Sequence, residues 1–359
     1  MSAAPQSPAG ADRTFIKGAD ISMLPRIENN GGVYTQNGEP RGLLPILQDH
    51  GFNYIRLRLW HAPADGYCDL NQTLAMAERI RSQGMGFLLD FHYSDTWADP
   101  GTQSKPAAWS GLSHETLGDS VYHYTRDVIS ALHDRHVLPD IVQIGNEIIC
   151  GMLWNDGRIC GMYDDPTQWS TFTTLLTRAI NGVSDALPAG DSVQIMIHID
   201  RGGDTAGCEW FFDHILARGV DFDIIGLSFY PWWHGTLDDL KRNLDALAAR
   251  YEKDIIVVET AYPWTLDWHD DMHNIIGLPG QLHRGYPATR EGQAHFLTDL
   301  IDIIGGVQGE KGLGLFYWEP GYISTLRLGS SWENVTLFDF NGEILNSVTV
   351  FETHPVHPF

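Results

Sequence analysis

Two short stretches of the chain each end an apolar run on a glutamate. "QIGNEII" (143–149) places Asn146-Glu147 after one such run, and "VVETAYPW" (257–264) places Glu259 in another. Runs of this kind read as strands buried on both faces, where a carboxylate at the carboxyl end has to be explained. Two carboxylates facing one site can perform retaining glycoside hydrolysis: one protonates the leaving oxygen and the other attacks the sugar, with the carboxyl groups about 5 to 5.5 Å apart. The acid needs an environment that raises its pKa, such as a partly apolar site beside an ionised carboxylate. The nucleophile needs hydrogen bonds and a cation, which Arg56 in "YIRLRLW" (54–60) is placed to supply. Asn146, beside the acid, suits a hydrogen bond to a sugar 2-hydroxyl, and Tyr230 could hold the nucleophile. Each residue alone has a plainer reading: a solvated strand cap, a core-edge ion pair, a buried phenol. The second glutamate, three strands after the first, favours the chemical one.

Eight apolar, β-branched runs must position these groups. They lie at 14–22, 54–60, 86–94, 140–148, 192–200, 224–231, 255–263 and 312–320. Helical patterns fall between them, among them 70–84, 117–136, 170–187, 237–251 and 290–306. Leu237, Leu240, Leu244 and Leu247 have the spacing of an amphipathic helix. Alternating units of this number predict an α/β fold, a single (β/α)8 TIM barrel over residues 14–359, with 1–13 a disordered leader. A doubly wound open sheet is the alternative, but no G-x-G-x-x-G follows the first strand. In a barrel the chemistry sits at the carboxyl ends of the strands. Those ends carry Asp20, Arg56 and Arg58, Asp90 and His92, Asn146 and Glu147, His198 and Asp200, Tyr230, Glu259, Trp318 and Glu319.

Aromatic residues crowd the same ends: Trp60, Trp97, Trp109, Trp154, Trp232, Trp233, Trp264 and Trp318. Indoles stack on the apolar C–H faces of sugar rings, so the set suits a polysaccharide cleft. The 46 acidic against 23 basic residues give a net charge of −23, which repels nucleic acid and anionic lipid. No apolar run reaches the roughly 18 residues of a membrane span. Zinc chemistry of the amidohydrolase type would need paired histidines on the first strand, and "KGADIS" has none. "DWHDDMHN" (267–274) offers Asp270, Asp271, His273 and Asn274 as candidate calcium ligands, or reads as a solvated acidic loop. Cys150 and Cys160 close a loop that a disulfide would stabilise by about 2 to 3 kcal/mol in an oxidising compartment; two unrelated thiols is the other reading.

Longer stretches add a resemblance. "KGADISMLPRIENNGG" (17–32), "LLDFHYSDTWADPGTQSKPAAW" (88–109), "QIGNEIICGMLWNDG" (143–157), "FFDHILARGVDFDIIGLSFYPWWHGTLDDL" (211–240), "VVETAYPW", "GLGLFYWEP" (312–320) and "LFDFNG" (337–342) resemble glycoside hydrolase family 53, the endo-β-1,4-galactanases. The similarity runs from about 14 to 345. It implies a retaining barrel enzyme that cuts β-1,4-galactan of type I arabinogalactan and pectin side chains, with Glu147 as acid/base and Glu259 as nucleophile. Arg56, His92, Asp95, Trp97, Asn146, Tyr230, Trp232, His234 and Trp318 fall in the motifs and aromatic positions around the sugar at the cleavage point. The acidic loop has the residue types of the calcium loop in bacterial members without its spacing. No cofactor is expected beyond a structural calcium; a monomer is expected because nothing in the sequence suggests a large apolar patch, and the resemblance implies a setting in the periplasm or outside the cell. A silent galactan-binding protein and a barrel hydrolase acting on mannan or glucan are the alternatives.

Overall fold

The structure, a computed structural model, describes residues 14–353, so the leader expected over 1–13 lies outside the described residues. Eight strands form one closed barrel: β1 Ile16–Asp20, β2 Tyr54–Leu59, β3 Gly86–Phe91, β4 Ile141–Ile144, β5 Gln194–Ile199, β6 Ile224–Ser228, β7 Asp254–Thr260 and β8 Gly312–Trp318. Neighbours pair in parallel, and β1 pairs with both β2 and β8, so the sheet has no open edge. The main helices that follow the first seven strands are α1 Leu43–Asp49, α2 Leu70–Ser82, α3 His114–Asp134, α4 Pro166–Ala186, α5 Thr205–Leu216, α6 Leu237–Tyr251 and α7 Arg290–Gly305. This is the (β/α)8 barrel that the alternation predicts.

Side chains alternate across each strand, and here the two faces carry different sequences. Outward residues such as Ile55, Leu57, Leu59, Phe87, Leu89, Val257 and Leu315 join the helices in one large core. Inward residues at the amino ends, Leu88, Ile141, Met196, Ile224, Ile256 and Phe316, pack as a second apolar cluster. Further along the same inward rows the chemistry changes. Tyr54 is followed by Arg56, Leu88 by Asp90, Ile141 by Gln143, Met196 by His198 and Ile224 by Ser228, all fully or almost fully buried apart from Tyr54. The barrel is therefore a plug of hydrocarbon beneath a layer of paired polar groups.

Boundaries depart from the sequence pattern where local chemistry intervenes. The fourth strand stops at Ile144 instead of 148, because Gly145 and Glu147 take φ of 80° and 49° and turn the chain out of the ladder into a 3-10 turn at Ile148–Cys150. Helix α3 begins before 117 because the Ser113 side chain accepts from the Thr116 N–H, and α4 begins before 170 because Asp165 caps it. Helix α6 keeps the bounds 237–251, fixed by a capping box between Thr236 and Asp239.

The plug is close-packed. A Cβ added at Gly18 would lie 2.2 Å from the Phe316 ring. Gly18→Ala should cost about 1 to 3 kcal/mol of stability, read as a lower denaturation midpoint in urea; an unchanged midpoint would mean the plug is looser than this packing requires.

Candidate active site

The polar layer is organised around Arg56, which is 1% exposed. All of its hydrogen-bonding capacity is used. Nε donates to Gln143 Oε1 at 3.1 Å, Nη1 to Asp20 Oδ2 and Glu259 Oε1 at 2.9 Å each, and Nη2 to Asp90 Oδ2 at 2.9 Å and Asn146 Oδ1 at 2.8 Å. Burial opposes the guanidinium charge, but Asp90, Glu259 and Asp20 more than offset it and hold the pKa above the ordinary arginine value. One side chain on β2 thus fixes groups from β1, β3 and β7 and from the end of β4.

The two glutamates differ in what they touch. Glu259 Oε1 faces Arg56, and Oε2 accepts the Tyr230 hydroxyl at 3.1 Å. Burial raises the pKa of Glu259 to about 7, with Arg56 pulling against it. Glu147 is half-buried and has no cation in contact; its Oε1 accepts the Ser228 hydroxyl at 2.6 Å. Burial first, then the charges of Glu259 and Asp200, hold its pKa well above the usual carboxylate range, while Ser228 and Arg56 pull it down. Two carboxyl groups with different partners, one bonded to arginine and one to a neutral hydroxyl, therefore share one site, an arrangement that can support acid-assisted displacement at an acetal carbon.

Neighbouring groups orient these two. Asn146 gives Oδ1 to Arg56 and donates one Nδ2 hydrogen to the Ala98 carbonyl at 2.8 Å, which leaves the other hydrogen for a ligand. His92 Nδ1 accepts from Trp60 Nε1 and the Ala98 N–H, both at 3.2 Å, so the ring hydrogen lies on Nε2, 3.0 Å from Asp90. Arg58 donates to Glu319 at 2.9 Å, and its guanidinium lies 4.2 Å from the centre of the Trp97 ring.

Over this layer opens a pocket of about 370 Å³, lined by Arg56, Arg58, His92, Trp97, Ala98, Asp99, Asn146, Glu147, Tyr230, Trp233, Glu259, Ile275, Trp318, Tyr322, Ser331 and Trp332. Of the residues expected at the sugar, Arg56, His92, Trp97, Asn146, Tyr230, Trp318 and both glutamates line it. Asp95, Trp232 and His234 do not. Asp95 clamps a loop through the Ala62 and Ala107 N–H groups at 3.0 and 2.8 Å, and His234 Nδ1 accepts the Tyr230 N–H at 3.0 Å. Trp232 packs between Tyr230 and Trp332. Each is close in sequence to a lining residue, Trp97 or Trp233. Tyr322, Ser331 and Trp332 were not anticipated: they come from the long loop after β8, which has no periodicity to read, although an aromatic loop at that strand end was itself a signal.

The four calcium candidates do not converge. Asp270 spends one oxygen on the Met272 N–H at 2.6 Å and the other on the Ser330 N–H at 2.7 Å, Asn274 is buried, and Asp271 and His273 point to solvent. No group of three or more His, Cys, Asp or Glu that could hold a metal ion is found among the described residues. The loops after β7 and β8 are instead tied by buried Glu333, which accepts from the His269 N–H at 2.7 Å and the Ser324 hydroxyl at 2.8 Å. Cys150 and Cys160 are disulfide-bonded, with their Cα atoms 4.9 Å apart.

With this geometry in hand, comparison with known proteins is specific. The profile described as glycosyl hydrolase family 53 matches residues 16–351. A protein of the bgaB 5′ region in Niallia circulans is 47% identical over 348 residues, covering 95% of this chain and 94% of its own. The arabinogalactan endo-β-1,4-galactanase of Thermothelomyces thermophilus is 37% identical, with 94% of this chain and 98% of that protein covered. Among solved structures, the GH53 catalytic domain of Ignisphaera aggregans superposes with a TM-score of 0.89 at 42% identity, over 96% of this chain and 97% of that one.

The hub predicts its own energetics. Arg56→Leu strips the guanidinium from three buried carboxylates and should cost about 3 to 5 kcal/mol at neutral pH, with the deficit shrinking at acid pH as Glu259 takes up a proton and no longer needs the cation. Urea unfolding at the two pH values measures this; a pH-independent deficit would show that lost packing, not charge, was responsible.

Proposed function

The chain belongs to glycosyl hydrolase family 53 and is a glycoside hydrolase with a polysaccharide substrate, and from that premise we propose that it is a retaining endo-β-1,4-galactanase in which Glu147 is the acid/base and Glu259 the nucleophile. The observation that carries the assignment is the asymmetry of the two carboxylates: Glu259 is bonded to Arg56 and Tyr230, whereas Glu147 has no cation in contact. The group bonded to the guanidinium is the one stabilised as an anion.

In the first step Glu147 gives its proton to the glycosidic oxygen while a Glu259 oxygen bonds to the anomeric carbon, so the leaving sugar departs as an alcohol and an ester remains on Glu259. In the second, ionised Glu147 takes a proton from water, the hydroxide adds to the anomeric carbon from the opposite face to the ester, and Glu259 leaves as a carboxylate. Two inversions retain configuration. Arg56 stabilises Glu259 as the carboxylate that attacks in the first step and departs in the second, and the free Asn146 amide hydrogen suits the sugar 2-hydroxyl. Trp97, Trp233, Trp318 and Trp332 offer apolar faces to sugar rings along the pocket. The galactanase name of the Thermothelomyces relative, aligned over 94% of this chain, supports galactan as substrate. The Cys150–Cys160 bridge favours an oxidising, extracellular or periplasmic setting, and no helix among the described residues is long and apolar enough to cross a membrane. Residues 14–359 are taken as one catalytic domain acting as a monomer.

Incubation with β-1,4-galactan, β-mannan and carboxymethylcellulose should release short oligosaccharides from galactan alone. Activity on mannan or cellulose would overturn the substrate, and binding to galactan without cleavage would make the protein a capture module. Glu259→Ala should remove essentially all turnover. Glu147→Ala should fall as far on galactan yet retain turnover of an aryl galactoside whose leaving group needs no acid, with azide accelerating it. For the parent, activity falls on acidification as Glu259 takes up a proton and falls in alkali as Glu147 loses one. A kcat/KM profile without an acid limb would contradict an ionised Glu259.

A further inference from the structure

Beneath Glu147 runs a chain of hydrogen bonds whose directions are fixed by valence. The Ser228 hydroxyl has one hydrogen and lies 2.6 Å from Glu147 Oε1, so it donates there when the glutamate is ionised. His198 Nε2, 2.9 Å from the same Ser228 oxygen, must then be the donor of that pair. Burial first, then Arg56, His92 and His234, hold the imidazole well below its ordinary pKa, so the ring is neutral and its Nδ1 carries no hydrogen. That atom meets the donors this tautomer requires, Gln143 Nε2 at 3.0 Å and the Glu147 N–H at 3.4 Å. Asn146 Oδ1, also 3.0 Å from Nδ1, takes its hydrogen from Arg56. Ser228 and His198 are both 0% exposed, and neither lines the pocket.

We propose that His198 and Ser228 are positioning residues that hold Glu147 Oε1 as a permanent acceptor and confine the catalytic proton to Oε2, the oxygen free to meet the glycosidic bond. This rests on the assignment of Glu147 as acid/base and deepens it. With the histidine N–H donating to Ser228 Oγ, the single serine hydrogen is directed at Glu147 Oε1, so the relay presents that oxygen with a donor and not with a base. His198 Nε2 reaches Glu147 only through that hydroxyl, so the chain orients the acid without accepting from it. The charged and titratable groups acting on Glu147 are Glu259, Asp200 and Arg56, with Tyr230 bridging to Glu259; Ser228 is the neutral partner among them.

The test is the pH dependence of kcat/KM on β-1,4-galactan for the parent, Ser228→Ala, Ser228→Thr and Glu147→Ala. The hydroxyl favours ionised Glu147, so its loss raises the pKa and moves the alkaline limb upward. Ser228→Ala should shift that limb by about one pH unit and lower kcat about 10- to 100-fold with KM within about twofold, as expected for one hydrogen bond to a charged group, and Ser228→Thr should recover most of both. If Ser228→Ala keeps the parental alkaline limb while Glu147→Ala is inactive on galactan, the chain does not act on the acid and this inference is overturned alone. If Glu147→Ala cuts galactan like the parent, the acid/base assignment fails and the inference falls with it. Ser228→Ala removes one atom from a buried site and leaves backbone pairing intact, so its folding can be verified by a retained cooperative urea transition.

Discussion

A buried arginine has to be answered on every N–H, and this requirement shapes the mouth of the barrel. Desolvating a guanidinium costs several kcal/mol unless its charge and donors are all met. Arg56 meets Asp20, Asp90, Glu259, Asn146 and Gln143 at hydrogen-bonding distance, and those five partners come from four other strands or their ends. The parallel barrel makes this possible because inward residues at similar heights on neighbouring strands face one another: Asp20 pairs in register with Arg56, and Arg58 with Asp90. Moving any one strand by a residue would send its polar group into the helix layer and leave the guanidinium short of a partner.

From that hub the chemical difference between the two glutamates follows. Both emerge on the same pocket, yet only Glu259 shares a hydrogen bond with the cation, and Tyr230 takes its second oxygen. Glu147 is delivered by a backbone in the left-handed region, φ 49° and ψ 48°, which lifts it off the end of β4 and toward a neutral serine. A residue in that conformation is held by its surroundings, here the 3-10 turn that leads to Cys150 and the disulfide to Cys160. Trp97, Trp318 and Trp332 sit above the polar layer, so the floor of the pocket is charged and its walls are apolar, a division suited to a neutral, hydroxylated ligand with a reacting acetal.

Much of this was legible in the sequence because the barrel repeats one signal eight times. The eight strands, the helix at 237–251 and the polar residues at the strand ends all follow from periodicity. The loops do not repeat. Tyr322, Ser331 and Trp332 join the pocket from a segment whose path is set by Glu333 and by turns, none of which leaves a period in the sequence. Asp95, Trp232 and His234 are close in sequence to lining residues but are not part of the pocket lining, because a step of one to four residues in a loop can turn a side chain. The acidic loop 267–274 read by composition as a cation site or a solvated loop; Asp270 turns its oxygens to backbone N–H groups, and Asp271 and His273 are exposed. The link from His198 through Ser228 to Glu147 joins three strands, and no single sequence pattern can report a contact of that kind.

In the proposed mechanism Glu259 becomes covalently bound to the sugar. The most direct test is to incubate the protein with a 2-deoxy-2-fluoro-β-galactobioside bearing a dinitrophenol leaving group, then digest it and locate the modified peptide by mass spectrometry. A single galactobiosyl ester on Glu259, absent from Glu259→Ala and released slowly by water, is the expected result. An ester on Glu147, or one dinitrophenol released per protein with no ester formed, would contradict the roles assigned to the two carboxylates.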